Sequence, residues 1–374
     1  MITMKMNRIV SLALCLLLTL VAFVGPAAAA EYAGYPQWAT EVEPVGEYAY
    51  SFAVVGDTQN VNRLYPEEYY KIYQWIVDNA EEKKIAYVMG LGDITDGNST
   101  QEWQRAQESF WLLGENGVPH SQVRGNHDGK DQFELYLGSD MDYQDSIQGA
   151  YNDKMANTWR LLQVGQVKYL IFALDYGFGD DVIEWAGEII ERYPDHNVII
   201  TTHAYMSDNY TTLDHTEAVP PSGSGGINDG DQMWEKFISK YENIKLVLCG
   251  HIDTDNVQIS TQTGDRGNTV TQILIDPQGM DKQLGPKGMV AMFYFSEDGR
   301  NVKLQYYSTI CNEYEITSAI TEFTLDVVES AEPEPTEPES TEPPVQTAPQ
   351  QTGFIAWLNN LIAMIVAFFA KLFG

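Results

Sequence analysis

The chain has 374 residues and is strongly acidic, with 53 Asp and Glu against 22 Lys and Arg and a formal net charge of −31. Hydrophobic residues make up 44% of it, which is enough for a sizeable core and excludes wholesale disorder. The acidity argues against a protein that holds nucleic acid through phosphate contacts, because such binding needs a basic face. Three cysteines are too few for a disulfide scaffold. The apolar run around Cys249 favours a reduced core thiol, although one bond to Cys311 is possible in an exported protein.

Residues 1–30 have the pattern of a secretory signal peptide. Lys5 and Arg8 give a positive start, an uncharged apolar run follows, and Ala28, Ala29 and Ala30 form a small-residue cleavage site. An uncleaved membrane anchor is the alternative. We therefore expect export, with residues 31–46 as a lead-in to the folded domain.

The other end of the chain also lies outside the predicted fold. Residues 329–350 are dominated by Glu, Pro and Thr, which predicts an extended and solvated spacer. Residues 351–374 are strongly apolar, and the stretch 354–373 has about the length that spans a bilayer core. We expect a helical membrane anchor. A helix lying in the membrane interface, a soluble docking helix and a removed lipid-anchor signal are the alternatives. The expected location is extracellular or at the cell surface, associated with the membrane, and no obligate protein partner is evident.

Residues 47–328 form the predicted domain, in which strands and helices first alternate. The predicted strands are Tyr48–Val55, Ile85–Leu91, Tyr169–Leu174, Val198–Thr201 and Ile244–Cys249. The predicted helices are Glu67–Glu82, Gln101–Glu115, Asp181–Arg192 and Met233–Tyr241. After His251 the apolar runs are of β type, at Thr269–Ile275, Met289–Phe295, Val302–Ser308 and Glu322–Val327. This order predicts the α/β class, as a layered sandwich with helices outside.

Polar motifs follow five of the apolar runs. They are Gly56-Asp57-Thr58-Gln59, Gly92-Asp93-Ile94-Thr95-Asp96, Arg124-Gly125-Asn126-His127-Asp128, Thr202-His203 and Gly250-His251-Ile252-Asp253. Taken singly, each is typical of a turn or a helix cap. Because the carboxyl ends of strands in α/β sheets open into a common crevice, the ordered set predicts a metal centre. The other histidines, at positions 120, 196 and 215, are interpreted as surface or loop residues.

In this order the motifs resemble those of the calcineurin-like metallophosphoesterase superfamily, over most of residues 48–260. The resemblance implies a four-layer α-β-β-α sandwich with two divalent metal ions at the strand carboxyl ends. It implies a metal-dependent hydrolase that cleaves phosphate mono- or diesters by attack of a metal-bound hydroxide. A nucleotide phosphodiesterase or nucleotidase, and a non-catalytic surface-displayed binding protein on the same fold, are the alternatives.

The resemblance also implies a role for each motif residue. The implied metal ligands are Asp57, Gln59, Asp93 and Asp253 at the first site, and Asp93, Asn126, His203 and His251 at the second. His127 would contact the substrate and help the leaving oxygen depart. Asp96 would orient the ring of His127, as a carboxylate fixing an imidazole tautomer.

Two residues depart from the family pattern, since Gln59 and Asp253 stand where histidine is usual. The first site would then contain only oxygen donors, which favours Mg²⁺, Mn²⁺ or Ca²⁺, whereas the imidazoles of the second suit Zn²⁺, Fe or Mn²⁺. We expect two divalent ions (Mn, Fe, Zn or Mg). Loss of the first site, leaving one metal or an inactive protein, is the alternative.

Substrate identity is not encoded in these motifs. Arg124, Tyr205 and His215 are the candidate substrate contacts, the last two in a long segment that either overhangs the site or is a solvated insertion. The acidic composition favours a small phosphate ester over a bulky polyanion, and duplex nucleic acid is not expected to bind.

Overall fold

The computed structural model of the chain describes residues 36–215, 227–318 and 321–328. These described residues belong to one compact unit. The predicted signal peptide, the spacer and the predicted membrane helix lie outside the described residues. Among the helices of the described part, none is long and apolar enough to cross a membrane.

Fifteen strands and eight α-helices make up the described part. The strands are β1 (Trp38–Ala39), β2 (Tyr50–Val55), β3 (Ile85–Gly90), β4 (His120–Gln122), β5 (Gly149–Ala150), β6 (Thr158–Val164), β7 (Val167–Ala173), β8 (Asn197–Thr201), β9 (Ile244–Cys249), β10 (Gln258–Thr263), β11 (Thr269–Leu274), β12 (Met289–Phe295), β13 (Asn301–Ser308), β14 (Glu313–Glu315) and β15 (Glu322–Thr324). The helices are α1 (Gln59–Leu64), α2 (Pro66–Asn79), α3 (Thr100–Glu115), α4 (Lys130–Gly138), α5 (Met141–Asp145), α6 (Asp180–Arg192), α7 (Gly230–Lys236) and α8 (Gln278–Leu284). Short 3₁₀ turns lie at Tyr151–Asp153 and Ile238–Lys240.

The strands form two mixed sheets. The first has the order β1-β14-β13-β12-β2-β3-β4, with β15 also paired to β13, and the second has the order β10-β11-β9-β8-β7-β6-β5. In the first sheet β2, β3 and β4 are parallel, and in the second β7, β8, β9 and β11 are parallel. Each parallel group therefore ends at one edge of its sheet, where the polar motifs follow.

The core follows from the alternation of side chains along each strand. In β2, Phe52 and Val54 belong to a hydrophobic cluster shared by both sheets, whereas Ala53 and Val55 pack against helices. The rings of Phe52 and Tyr169 lie 5.3 Å apart in an edge-to-face contact between the sheets. A further cluster covers the other face of the second sheet, where α6 and α7 pack. The α/β class with two sheets and helices is confirmed.

Most of the predicted elements are present, and the differences have local causes. Ile244–Cys249 and Met289–Phe295 have the predicted bounds. The helix predicted from Met233 to Tyr241 ends at Lys236 and continues as a 3₁₀ turn, since Phe237 adopts a non-helical backbone. The hairpin strand β6 was missed because its residues are half-buried and the apolar pattern is weak there.

The interpretation of His120 as a surface or loop residue is wrong. It lies on β4, is 1% exposed, and packs between the rings of Phe110 and Tyr143. Nδ1 lies 3.1 Å from Nε2 of Gln122. Burial, reinforced by the positive charge of Arg160, lowers the pKa of His120 to about 3.

We predict that this histidine makes the fold sensitive to acid. The folded protein keeps the ring neutral while the unfolded chain protonates it below its ordinary pKa, so stability falls as the pH drops from about 6.5 towards 3. Between pH 7 and pH 5 the free energy of unfolding should decrease by about 2 kcal/mol from this group alone. Urea unfolding of His120→Gln at both pH values should show a loss smaller by about that amount than in the wild type. The matched control is His215→Gln, which removes an exposed histidine. A His120→Gln loss equal to that of the wild type would contradict the prediction.

Candidate metal centre

The polar motifs meet where the carboxyl ends of the two parallel groups face each other. Asp57 follows β2 and His251 follows β9 in the other sheet, yet the backbone N–H of His251 donates to the Asp57 carboxylate at 3.1 Å. Asp93 follows β3 and His203 follows β8, and Oδ1 of the first lies 3.3 Å from Nε2 of the second. The centre is thus built from both sheets at once.

His203 is the point on which the second set of predicted ligands converges. Its Nδ1 lies 2.9 Å from the carbonyl oxygen of Leu91, which can only accept, so in the neutral ring Nδ1 carries the hydrogen and Nε2 presents a lone pair. Around that Nε2 lie the Oδ1 atom of Asn126 at 2.9 Å and Nδ1 of His251 at 3.1 Å, besides the Asp93 carboxylate. Electron-pair donors gathered this closely fit a bound cation.

The pKa shifts of Asp93 and His203 also favour a bound cation. Burial alone would lower the pKa of His203, but the charge and hydrogen bond of Asp93 raise it above its usual value. Burial alone would raise the pKa of Asp93. The charge and hydrogen bond of His203, together with the N–H of His127, lower it below its usual value. Positive charge is therefore stabilised between these two residues. Asp93, His203 and His251 are all buried and offer ligand atoms within 4.8 Å of one another.

Glycines and strained backbone let these side chains approach one another. A Cβ atom on Gly125 would lie 2.1 Å from Oδ1 of Asp93, and one on Gly250 would lie 2.0 Å from Oδ1 of Asp57. Asp93 and His251 have φ angles of 45° and 75°, a left-handed conformation that is unusual outside glycine. Such strain persists only where the surrounding structure over-determines it, as it commonly does at functional sites.

The residues predicted for the first metal site differ in burial and in hydrogen bonding. Asp57 is fully buried, and burial, together with the nearby carboxylates of Asp276 and Asp93, raises its pKa well above the usual range. The amide nitrogen of Gln59 donates to Oδ2 of Asp93 at 3.1 Å, and its Oε1 is buried without a hydrogen-bond partner. Asp253 is exposed, and its carboxylate instead accepts the N–H of Gly279 at 2.9 Å. Asp57 and Gln59 therefore have the burial and the free acceptor that a first metal ion would use, whereas the Asp253 carboxylate is engaged by Gly279.

His127 lies at the exposed rim of the centre, next to the buried ligands. Its backbone N–H donates to Oδ1 of Asp93 at 2.9 Å, and its Nδ1 lies 2.9 Å from the carbonyl oxygen of Asp96. The Asp96 carboxylate is 3.8 Å from that nitrogen and pairs at 2.8 Å with Arg63. The predicted orienting role of Asp96 therefore falls to its carbonyl oxygen, because Arg63 on α1 holds the carboxylate.

Two buried carboxylates tie the motif loops together. Asp128 accepts the N–H groups of Ile94, Thr95 and Gly125, which joins the turn after β3 to the turn after β4. Glu102, at the start of α3, accepts the N–H of Asp96 at 3.0 Å and also forms a capping box with Ser99. The loop that carries Asp93 and Asp96 is thereby fixed at both ends.

The three predicted substrate contacts have different environments. Tyr205 is fully buried in the core under the second sheet, where its hydroxyl hydrogen-bonds Gln272, so its prediction as a substrate contact is wrong. Arg124 is half-buried, and its guanidinium pairs with Asp175 at 2.6 Å and donates to the carbonyl of Asp128, which braces the turn after β4. His215 is exposed at the end of a described segment.

Sequence reasoning missed two contributors to the centre. The ring of Tyr176 packs against the rings of His203 and His251, at centroid distances of 5.6 and 5.7 Å. No sequence pattern singles this tyrosine out. Asp276 is fully buried beside Asp57 and follows the end of β11. The strand-end signal that located the other motifs applies to Asp276 as well.

Comparison with known proteins identifies the family of the chain. The model of the family described as calcineurin-like phosphoesterase matches residues 50–254, which is more than half of the chain. The chain belongs to this family.

Individual relatives are distant. "Uncharacterized protein YvnB" of Bacillus subtilis (strain 168) is 26% identical over 280 residues, which is 71% of this chain and 20% of that protein. The chain thus spans about a fifth of the length of that relative. Among solved structures, it is similar to a dimetal phosphatase from Danio rerio, with 13% identity, a TM-score of 0.47 and coverage of 76% of this chain and 100% of that one. It is also similar to the purple acid phosphatase PPD1 of yellow lupin (Lupinus luteus), with 13% identity, a TM-score of 0.43 and coverage of 74% and 53%.

We predict that Asp93→Asn lowers the metal content of the purified protein, because the amide removes the negative charge that Asp93 places beside His203. The matched control is Asp96→Asn, which neutralises an aspartate of the same loop whose carboxylate is paired with Arg63. Elemental analysis after exhaustive dialysis should show less bound metal in the first variant and wild-type content in the second. Equal metal content in Asp93→Asn and wild type would contradict the placement of Asp93 as a ligand.

Proposed function

We propose that the protein is an exported phosphoesterase that hydrolyses small phosphate mono- or diesters at a centre of two divalent ions. The observation that carries this proposal is the convergence of Asp93, Asn126 and His251 on Nε2 of His203, with His127 at the exposed rim. The metal-binding chemistry of these donors and the family to which the chain belongs support it.

Divalent ions held there would supply positive charge for the phosphate oxygens and acidify a water molecule for attack on phosphorus. Asp93, His203 and His251, with Asn126 beside them, would hold one ion, and Asp57 and Gln59 would contribute to the first site.

His127 is the residue of the chain placed to move a proton. With Nδ1–H directed to the carbonyl oxygen of Asp96, the other ring nitrogen, Nε2, is the one that remains for the substrate. In the protonated ring, Nε2–H can donate to the leaving oxygen as the ester bond breaks. Asp96 acts as a positioning residue through its backbone, and Asp93 holds the His127 backbone in place.

The acidic composition favours small substrates. A chain with a formal charge of −31 repels large polyanions at long range, whereas a small ester reaches the centre with little repulsion and meets positive charge there. This reasoning covers nucleotides as well as simple esters, so monoesterase and diesterase activities are separate outcomes of the test below.

We predict that His127→Ala lowers kcat by roughly 10²- to 10⁴-fold, the usual contribution of a positioned acid, while the metal content stays near that of the wild type. The assay uses nitrophenyl phosphate mono- and diesters with added Mn²⁺, Mg²⁺ or Zn²⁺. Asp93→Asn serves as the control that loses both metal and activity. Wild-type kcat in His127→Ala would remove this residue from the reaction. No wild-type hydrolysis with any of the metals would instead favour the non-catalytic binding protein.

We also propose that the protein is displayed at the cell surface and held to the membrane. The signal-like residues 1–30, the spacer at 329–350 and the apolar segment 351–374 support this location. Cell fractionation should place the full chain with the membrane, and protease added to intact cells should digest it. A variant truncated after residue 350 should appear in the medium. Recovery of the full chain in the cytosol would contradict the proposal.

A further inference from the structure

Asp276 occupies a position that continues the pattern of the predicted ligands. It follows β11, a parallel neighbour of β9, and Leu274 of β11 pairs with Cys249 of β9. Two residues after the end of each strand come Asp276, which follows β11, and His251, which follows β9. Asp276 therefore leaves its strand at the same edge of the second sheet as His251 does.

The side chain of Asp276 is buried against the first metal site. It is 0% exposed and lies within hydrogen-bond reach of the Asp57 carboxyl, which is itself 0% exposed. Two buried carboxylates in contact repel each other unless positive charge lies beside them. In the described part of the chain, the ion pairs of lysine and arginine are with other carboxylates, and the ring of His203, with Nδ1 4.0 Å from Oδ1 of Asp57, carries positive charge only when protonated.

A chain of amide contacts joins Asp276 to Asp93 on the far side of the same site. Gln278 donates to Asp276 through both its backbone N–H, at 2.9 Å, and its side chain, at 2.6 Å. The Gln59 amide nitrogen in turn donates to Oε1 of Gln278 at 2.9 Å and to Oδ2 of Asp93 at 3.1 Å. Gln59 thus lies between Asp93 and the segment that carries Asp276.

The oxygen of the same Gln59 amide points independently to a ligand. Gln59 is 1% exposed, and its Oε1 is buried with no hydrogen-bond partner. Leaving a buried acceptor unsatisfied is costly, and a bound cation removes that cost. The close approach that brings these groups together depends on Gly56, where a Cβ atom would lie 2.6 Å from the carbonyl oxygen of Ile275 and 2.7 Å from Pro277.

We propose that Asp276 is a ligand of the first metal ion and takes the place that the sequence pattern assigned to Asp253. The first site then consists of Asp57, Asp93, Asp276 and the amide oxygen of Gln59, all oxygen donors, which selects a hard divalent cation such as Mn²⁺ or Mg²⁺. Asp253 remains outside it, exposed and bound to the N–H of Gly279. This inference rests on the proposed two-ion centre.

The test measures Mn²⁺ binding to the full-length protein after removal of metal with a chelator, by equilibrium dialysis and titration calorimetry. The wild type should bind two ions. Asp276→Asn should keep one ion and bind the other roughly tenfold more weakly or worse. Asp253→Asn should keep both with wild-type affinity. The matched control is Asp281→Asn, since Asp281 is equally buried on the neighbouring α8 but accepts the N–H groups of Lys287 and Gly288.

A second variant keeps the proposal testable even where Asp276→Asn folds poorly. Asp276→Cys replaces an oxygen donor with a thiolate, which prefers soft metals. Titration with Cd²⁺ should then produce the ultraviolet charge-transfer absorption of a cadmium–thiolate bond, above the background given by the wild type. Asp253→Cys should not produce it. This readout reports direct ligation and does not depend on activity.

Each outcome separates this inference from the proposed function. Two ions bound by Asp276→Asn with unchanged affinity, loss of an ion from Asp253→Asn, or no cadmium–thiolate band in Asp276→Cys would overturn the ligand role and leave the phosphoesterase standing. A wild type that binds no Mn²⁺ would overturn the two-ion centre and the inference with it.

Discussion

The carboxylate of Asp93 is the group on which the arrangement of the centre depends. Its Oδ1 accepts the backbone N–H of His127 and lies 3.3 Å from Nε2 of His203, while its Oδ2 accepts the amide of Gln59. One side chain therefore contacts the predicted proton donor His127, the predicted second-site ligand His203 and the predicted first-site ligand Gln59. A buried anion in such a position requires a positive charge nearby, and Asp93, His203 and His251 offer ligand atoms within 4.8 Å of one another that could hold a cation.

The backbone around Asp93 is organised to keep that anion where it is. Its left-handed conformation, with φ at 45°, places the carboxylate against Gly125, at a distance that only glycine tolerates. Asp128 and Glu102 accept hydrogen bonds from backbone N–H groups of the same loop and fix its position. The centre is therefore preorganised by backbone hydrogen bonds that carboxylates outside the predicted ligand set accept.

Sequence patterns were sufficient for most of the buried strands and for the polar residues that follow them, since a buried strand and a strand-end turn are both local signals, but the half-buried β6 escaped them. They were insufficient where tertiary contacts decide. The Asp253 carboxylate accepts the N–H of Gly279 on α8, whereas Asp276 lies beside Asp57. The Asp96 carboxylate pairs with Arg63 at 2.8 Å and lies 3.8 Å from Nδ1 of His127. Tyr205 follows the predicted ligand His203 by two residues, but its ring is fully buried in the cluster that packs against α6 and α7, and its hydroxyl hydrogen-bonds Gln272.

The position of the centre between two sheets has a consequence for the fold as a whole. Asp57 and Asp93 come from the first sheet, and His203, His251 and Asp276 come from the second. An ion that binds these residues together connects the two sheets at their carboxyl edges, where the hydrophobic cluster between them gives way to charged groups. Because an unfolded chain offers no such preformed set of donors, binding free energy at the centre adds to the free energy of unfolding. Metal occupancy and the packing of the sheets are therefore linked equilibria, and the charges that make the centre costly to bury without an ion are the same ones that stabilise the fold when an ion is bound.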